Sequence, residues 1–348
     1  MIYFVISHEN SKHLYIMKYN KMKLWLAALA VVLLLSTVGV VAWLLMPVSA
    51  ESMRRSAVIV EQSTWQEITI DGKPQLYFSS ALGDSALLGV TANRDSALHR
   101  KHLTGCWVNR WMLVPSCWGR IATVYSRGAT TPNIKGDSNI VNLCRLSIAQ
   151  QLKTLKTQKS ELDYYLRVHG VQDNGYQTIA SFASHVNMAY NDVMRASQVI
   201  DSLVSDAQKK RHKFELKSVT EYVAVYRDDE GKLMRYPLKQ IFADGKRHTM
   251  LLQTEDEATP SDVATISKSP WGNKANGGLR AVGFPGLGEK GLECDTVSSI
   301  IIPGSLRDYR HDLPRVLVSD GAPVFTAKGF FIGIVSGKRI VTDLTMVR

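Results

Sequence analysis

With 348 residues, 45% of them hydrophobic, the chain is long enough for one large domain or two modest ones, each with its own core. Its 42 basic residues outnumber 31 acidic ones, for a net charge of +11. That excess is spread along the chain without RNA-reading aromatic motifs or zinc-finger spacing, which argues against nucleic acid as a partner.

Leu24 to Met46, "LWLAALAVVLLLSTVGVVAWLLM", runs 23 residues without a charge. A helix of ~20 such residues crosses the hydrocarbon core, so 24–46 is expected to be a transmembrane helix. Lys12, Lys18, Lys21 and Lys23 precede it, and only Arg54 and Arg55 follow closely. The positive-inside bias therefore predicts a cytoplasmic N-terminus, residues 1–23, and a main domain in the periplasm or extracellular space. A cleaved signal sequence is the rival, because "VSA" before Glu51 has small residues at suitable positions. The apolar run is nevertheless longer than the ~7 to 15 residues usual in a signal sequence, and either reading exports the chain. Met17 and Met22 would each serve as a start that leaves a short basic N-region.

After a linker at 47–55, the runs "SAVIVEQ", "ITIDGKPQLYFSS" and "CWVNRWMLV" predict strands in 56–137, being rich in β-branched and aromatic residues and cut by Gly, Asp and Asn. From 138 to 216 the period becomes helical. Ile148, Leu152, Leu155, Leu162 and Leu166 share one face, "HGVQDNG" breaks the pattern, and a second helix follows. Its series Ile179, Phe182, Val186, Ala189, Val193, Ala196, Ile200, Leu203 and Ala207 alternates steps of three and four, as in a coiled-coil seam. The two segments predict a long antiparallel hairpin, with "KKRHKFE" as a solvated helix end. Strand patterns resume in "VTEYVAVYRDD", "MRYPLKQIFADG" and "HTMLLQTED", and 217–348 reads as the remainder of the β domain. The expected fold class is mainly β, split by a helical insertion.

Export would let disulfides persist among Cys106, Cys117, Cys144 and Cys294. Four cysteines allow three full pairings, which spacing does not rank, and their spacings fit no zinc motif, so no metal is expected.

Four segments then appear in a telling order. "CWVNRWMLVPSCW" (106–118), "SDVATI" (261–266), "LRAVGFPGLGEKG" (279–291) and "VSDGAPVFTAKGFFIGIVSG" (318–337) together resemble the trypsin-like serine protease family, in its bacterial periplasmic form. The likeness covers ~200 residues and implies two six-stranded β-barrels, with the hairpin foreign to the family. It also implies a catalytic histidine at the end of the first segment, an aspartate in the second and a serine in the last. Carried over, the histidine position falls on Cys117, counted from Trp111, and the aspartate position on Asp262. The serine position, three residues before Pro323, falls on Asp320, and Val318 stands where a glycine helps form the oxyanion hole. Ser336 and Gly337 fall where the family's backbone pairs with bound peptide. "GDSALLG" (83–89) mimics the protease signature but lacks the following Gly-Pro and is out of order, so it reads as a turn.

Acyl transfer on this architecture needs a hydroxyl nucleophile, an imidazole that takes and returns its proton, and N–H donors aimed at the oxyanion. A carboxylate at 320 and a thiol at 117 supply none of these. His99, His102, His248 and His311 lie in the β parts and read as surface or structural residues. Cys117 reads as buried or disulfide-linked, with Cys106 its nearest partner in sequence. The expected function is a membrane-anchored trypsin-like pseudoprotease with no catalytic residue and no cofactor, acting as a binding or scaffold module in the cell envelope. Its partners would be an envelope protein, an extended peptide added as a strand in the cleft, or a second copy through the hairpin. An active endopeptidase with non-standard catalytic residues and an unrelated β-rich envelope binding domain are the alternatives.

Overall fold

The structure is a computed structural model and describes residues 25, 29–37, 39, 46–109, 118–128, 130–206, 212–267, 277–287, 298–308 and 310–342. A short helix, α1 (Ala50–Ser56), is capped by the Ser49 hydroxyl, which accepts the Ser52 N–H at 3.1 Å. The chain then enters β1 (Ala57–Ile70), turns at Asp71–Gly72, and returns as β2 (Lys73–Phe78). Both turn residues have positive φ, 50° and 80°, the two-residue geometry that an Asp-Gly pair favours in a hairpin. A small ribbon, β3 (Ser80–Leu82) with β4 (Ala86–Leu88), occupies the "GDSALLG" region. One helical turn, α2 (Arg94–Ala97), leads to β5 (His99–Trp107) and β6 (Arg120–Val124). The helical hairpin follows as α3 (Asp137–Val168) and α4 (Tyr176–Asp206), and the chain returns to the sheet in β7 (Phe214–Arg227), β8 (Leu233–Asp244) and β9 (Thr249–Thr254).

These strands close a ring in the order β1-β5-β6-β9-β8-β7, because β1 pairs with β5 on one edge and β7 on the other. A second closed ring has the order β10-β11-β12-β15-β14-β13, formed by β10 (Gly277–Gly283), β11 (Ile300–Arg307), β12 (Arg310–His311), β13 (Pro323–Thr326), β14 (Phe331–Ser336) and β15 (Arg339–Val341). The protein is thus mainly β, with two six-stranded barrels and a helical insertion between β6 and β7. Pairing each edge strand with another removes the open edges that a sheet would otherwise expose.

Strand alternation divides the apolar residues among separate cores. Val58, Val60, Trp107, Ile121 and Met250 fill the first barrel, and Ala281, Val324, Ile332 and Val335 the second. Ala57 and Ile59, the intervening positions of β1, face outward with Cys106 and Val225 and meet Val282, Phe325 and Phe331 of the second barrel. Met53 of α1 and Ile266 of the inter-barrel connection complete that seam. The far ends of β1, β2 and β7 project past the first barrel and carry Ile68, Ile70, Leu76, Phe78 and Phe214. The root of the hairpin packs on them through Ile140, Cys144, Ile148, Val193, Ala196 and Ile200.

Two sequence expectations change here. The seam of the second helix is buried at Val186, Val193, Ala196 and Ile200 but not along its whole length. Phe182, which its spacing places in the seam, is 51% exposed, because beyond the sheet each helix has only the other to pack against. Cys106 is a free, fully buried thiol in the inter-barrel seam, so it is not bridged to Cys117. Cys117 and Cys294 lie outside the described residues. Among the described residues no helix is long and apolar enough to cross a membrane. Within the expected span 24–46, residues 29–37 are helical and exposed, Leu33, Leu34 and Leu35 among them, and 24, 26–28, 38 and 40–45 lie outside the description.

Candidate functional site

The segment from Val318 to Ala322 is held between the barrels by bonds to both. The β5–β6 ladder extends from Trp107↔Ile121 to Gly105↔Thr123, and at the next residue the Thr104 N–H donates instead to the Asp320 carbonyl, at 3.1 Å. The Thr123 hydroxyl donates to the Thr104 carbonyl at 2.7 Å, and the hydroxyls of Thr104 and Ser319 are 2.5 Å apart. On the other side the Gly321 N–H donates to the Val335 carbonyl at 2.8 Å, which carries the turn into the β13–β14 ladder. Gly321 is required by this packing: its φ is 91°, and a Cβ there would stand 1.7 Å from the Thr104 carbonyl oxygen. The "DGAP" sequence is therefore the shape of a turn wedged against β5.

The side chains of this turn are engaged within the protein. One oxygen of the exposed Asp320 carboxylate accepts the Gly337 N–H at 2.8 Å. The Ser319 hydroxyl meets Thr104, and Val318 is buried in the second barrel's core with its N–H donated to the Pro314 carbonyl at 3.0 Å. Ser336 pairs with Arg339 in the β14–β15 hairpin, and β14 is paired on its other edge with β13. With the Gly337 N–H also bonded, the backbone expected to receive an added peptide strand is already in use.

Asp262 is placed elsewhere. "SDVATI" is a turn and connection after β9, not a strand, and touches the sheet only through the Val108↔Ile266 bridge. Val263 and Ile266 pack against different cores, so their apolar character imitates strand alternation without forming a strand. The Asp262 carbonyl accepts the Arg55 Nε–H at 2.8 Å, and its carboxylate accepts the Ser261 hydroxyl at 3.2 Å. It lines a cavity with Arg55, Tyr226, Asp229 and Phe284, and among the described residues it shares no bonding partner with Asp320. Cys117, outside the described residues, belongs to the connection between β5 and β6. The strand that passes the Asp320 turn is β6 itself, followed by Tyr125 and Ser126, the latter accepting from Lys101 Nζ at 3.0 Å.

Two of the histidines that read as surface or structural residues, His102 and His311, lie near the turn. His102 and Thr104 alternate on one face of β5, and His102 Nε2 lies 3.7 Å from the Glu61 carboxylate. Arg235 and Arg100 reach the same carboxylate at 3.2 and 3.7 Å. The His102 hydrogen bond, then Arg235, bring the Glu61 pKa down to about 2 against the opposing effect of burial. His311 of β12 lies within the fields of Asp312 and Asp320, yet its burial dominates and lowers its pKa, which keeps the imidazole neutral at neutral pH. Among the described residues neither Ser319 nor Asp320 takes a hydrogen bond from an imidazole.

Two closed six-stranded barrels in tandem, with the "SDGAP" turn lodged between them, decide the architecture. The fold is a tandem of two six-stranded β-barrels, the arrangement that the resemblance read in the sequence implies. No protein-family model matches the chain, and no curated protein matches it in sequence. Among solved structures it is similar to Deg5, at 11% identity over 86% of this chain and 88% of that one, with a TM-score of 0.37. It is also similar to the apo MamO protease domain from Magnetospirillum magneticum, at 12% identity over 34% of this chain and 68% of that one, with a TM-score of 0.25. Neither value bears on activity, and the fold assignment rests on the strand pairings.

Proposed function

We propose that this trypsin-like protein is a pseudoprotease, anchored in a membrane by residues 24–46, whose exported barrels serve as a frame and whose helical hairpin holds a protein partner in the cell envelope. One observation carries the reading: at the nucleophile's place stands a carboxylate that accepts the Gly337 N–H, beside a serine bonded to Thr104, and among the described residues no imidazole is bonded to either. A carboxylate so placed is an acceptor and cannot attack an acyl carbon as a hydroxyl does. The Val318 N–H is already donated to the Pro314 carbonyl at 3.0 Å, so the oxyanion side lacks that donor too. The exposed apolar helix at 29–37 supports the anchor. The outer half of the hairpin leaves Tyr164, Val168, Val171, Phe182 and Met188 exposed, which supports the hairpin rather than the cleft as the contact surface.

The test uses the full chain in detergent. It should neither hydrolyse an unfolded protein nor be labelled by a serine-directed phosphonylating probe, and Asp320→Ser should remain inert because it restores a hydroxyl without a base. Stoichiometric labelling of Ser319 that is lost in Ser319→Ala would establish an active endopeptidase and end the pseudoprotease reading.

A further inference from the structure

Three arginines stand side by side on the second barrel. Arg307 and Arg310 are cross-strand partners at the β11–β12 turn, and Arg310 in turn opposes Arg339 of β15, so a single row crosses three adjacent strands. All three are exposed and line one open basin, together with Ser305, Asp308, His311 and Asp312. Among the described residues none of the three makes a salt bridge. Two acids share the basin: Asp308 follows Arg307 in the turn, and Asp312 is turned to the barrel itself. Its carboxylate accepts both the Ser305 N–H at 2.6 Å and the Ser305 hydroxyl at 2.7 Å. Lys338 adds a further positive charge beside Arg339.

Adjacent strands lie only ~4.8 Å apart, and like charges directly opposite one another destabilise a sheet. A row of three repeats that penalty twice, with Arg310 bearing both contacts. Folding alone would favour an acidic or neutral residue at the central position. An anion bridging the guanidinium groups turns the repulsion into attraction, and the row then has a physical purpose. A carboxylate offers two oxygens in one plane, suited to a single guanidinium fork. A phosphate offers three or four oxygens in tetrahedral directions and up to about two negative charges, which suits several forks converging from neighbouring strands.

We propose that the Arg307–Arg310–Arg339 row is a binding site for a phosphate group. None of the three arginines belongs to the inter-barrel turn, and the site works whether or not that turn has any chemistry. Free phosphate and a phosphate ester such as a lipid headgroup present the same oxygens, so the assay separates them.

The full chain in detergent is titrated calorimetrically with inorganic phosphate, with glycerol 3-phosphate, and with acetate at matched ionic strength, since screening alone would mimic weak binding. Phosphate is expected to bind one to one and acetate not to bind. Arg310→Gln should weaken phosphate by about 10- to 100-fold, the range for losing a charge-assisted hydrogen bond. Arg339→Gln should weaken it in the same direction, while Arg145→Gln on the hairpin should bind as the parent does. In thermal unfolding without phosphate, Arg310→Gln should raise Tm by about 1–2 °C, because the cross-strand repulsion is relieved. Phosphate should raise the Tm of the parent but not of this variant. Tighter binding of glycerol 3-phosphate would assign the site to phosphate esters, and equal or weaker binding to the free ion. Equal responses to phosphate and acetate, or phosphate affinity unchanged by Arg310→Gln and Arg339→Gln, would overturn the assignment.

Discussion

The wedge of the "SDGAP" turn against β5 can be tested by adding one methyl group in two places. Gly321 and Gly337 both have positive φ, 91° and 62°, so alanine at either carries the left-handed backbone penalty of about 1–2 kcal/mol. Only Gly321 is crowded. Its added Cβ would sit 1.7 Å from the Thr104 carbonyl oxygen and 2.7 Å from the Thr123 hydroxyl, whereas the nearest atom at Gly337 is the end of Arg315, at 4.0 Å. A backbone carbonyl in a barrel strand cannot rotate aside, so the turn must withdraw. Withdrawal breaks the Thr104 N–H to Asp320 bond and the Thr104–Ser319 contact, each worth about 1 kcal/mol, with a further desolvation penalty if the freed groups stay buried. Gly321→Ala should therefore lose about 3–6 kcal/mol and Gly337→Ala about 1–2 kcal/mol. Urea unfolding of both variants, read as midpoint shifts at a common slope, measures the difference. If the two lost the same stability to within 1 kcal/mol, the turn would not be pinned between the barrels, and the account of the site would fail with it.

Three further outcomes follow from the same structure. Glu61 has its pKa lowered from 4.5 to about 2, so its contribution is fully present above pH 4.5 and is lost as pH falls toward 2. The parent should lose about 1–2 kcal/mol more than Glu61→Gln over that window, after allowance for the half-exposed arginines, and parallel pH–stability curves would refute the network. Burial pushes the Cys106 and Cys144 thiols up to about 12, so peptide mapping after alkylation at pH 8 should find both unmodified in the native protein and modified in denaturant. Native modification of Cys106 would mean that the seam between the barrels opens. Val193→Asp buries an unpaired carboxylate at a position 4% exposed, which should cost several kcal/mol and remove helical circular dichroism while both barrels stay folded. It should also reduce recovery of crosslinked partners more than Asp320→Asn does, and the reverse order would make the cleft the contact surface.

The hairpin, the barrel strands and the nucleophile turn were legible for local reasons. Helical periodicity identified α3 and α4 because one face of each must be buried against something, and the Asp-Gly pair marked the β1–β2 turn because only certain residues tolerate its dihedrals. "DGAPVF" was recognisable because Gly321 has no room for a side chain. Asp262 misled because "SDVATI" has a strand's composition, yet its apolar residues serve two different cores. The seam at Phe182 misled because a heptad states which residues can be buried, not how far the neighbouring surface extends. The network of Glu61, Arg100 and Arg235 around His102 escaped notice because strand pairing brings it together across up to 174 residues, and each of the three alone reads as an ordinary polar residue.

By itself, the sequence determined the uncharged run at 24–46, the alternation of strands with a helical insertion, and the absence of a serine three residues before Pro323, since composition, periodicity and turn chemistry act over a few neighbouring residues. Tertiary structure alone decided that Thr104 receives the Asp320 turn, that Asp262 belongs to another cavity, that Cys106 is sealed in the seam, and that three arginines meet in one row. Those facts depend on which strand lies beside which and on the register between them, and both are set when distant segments bury their apolar faces together.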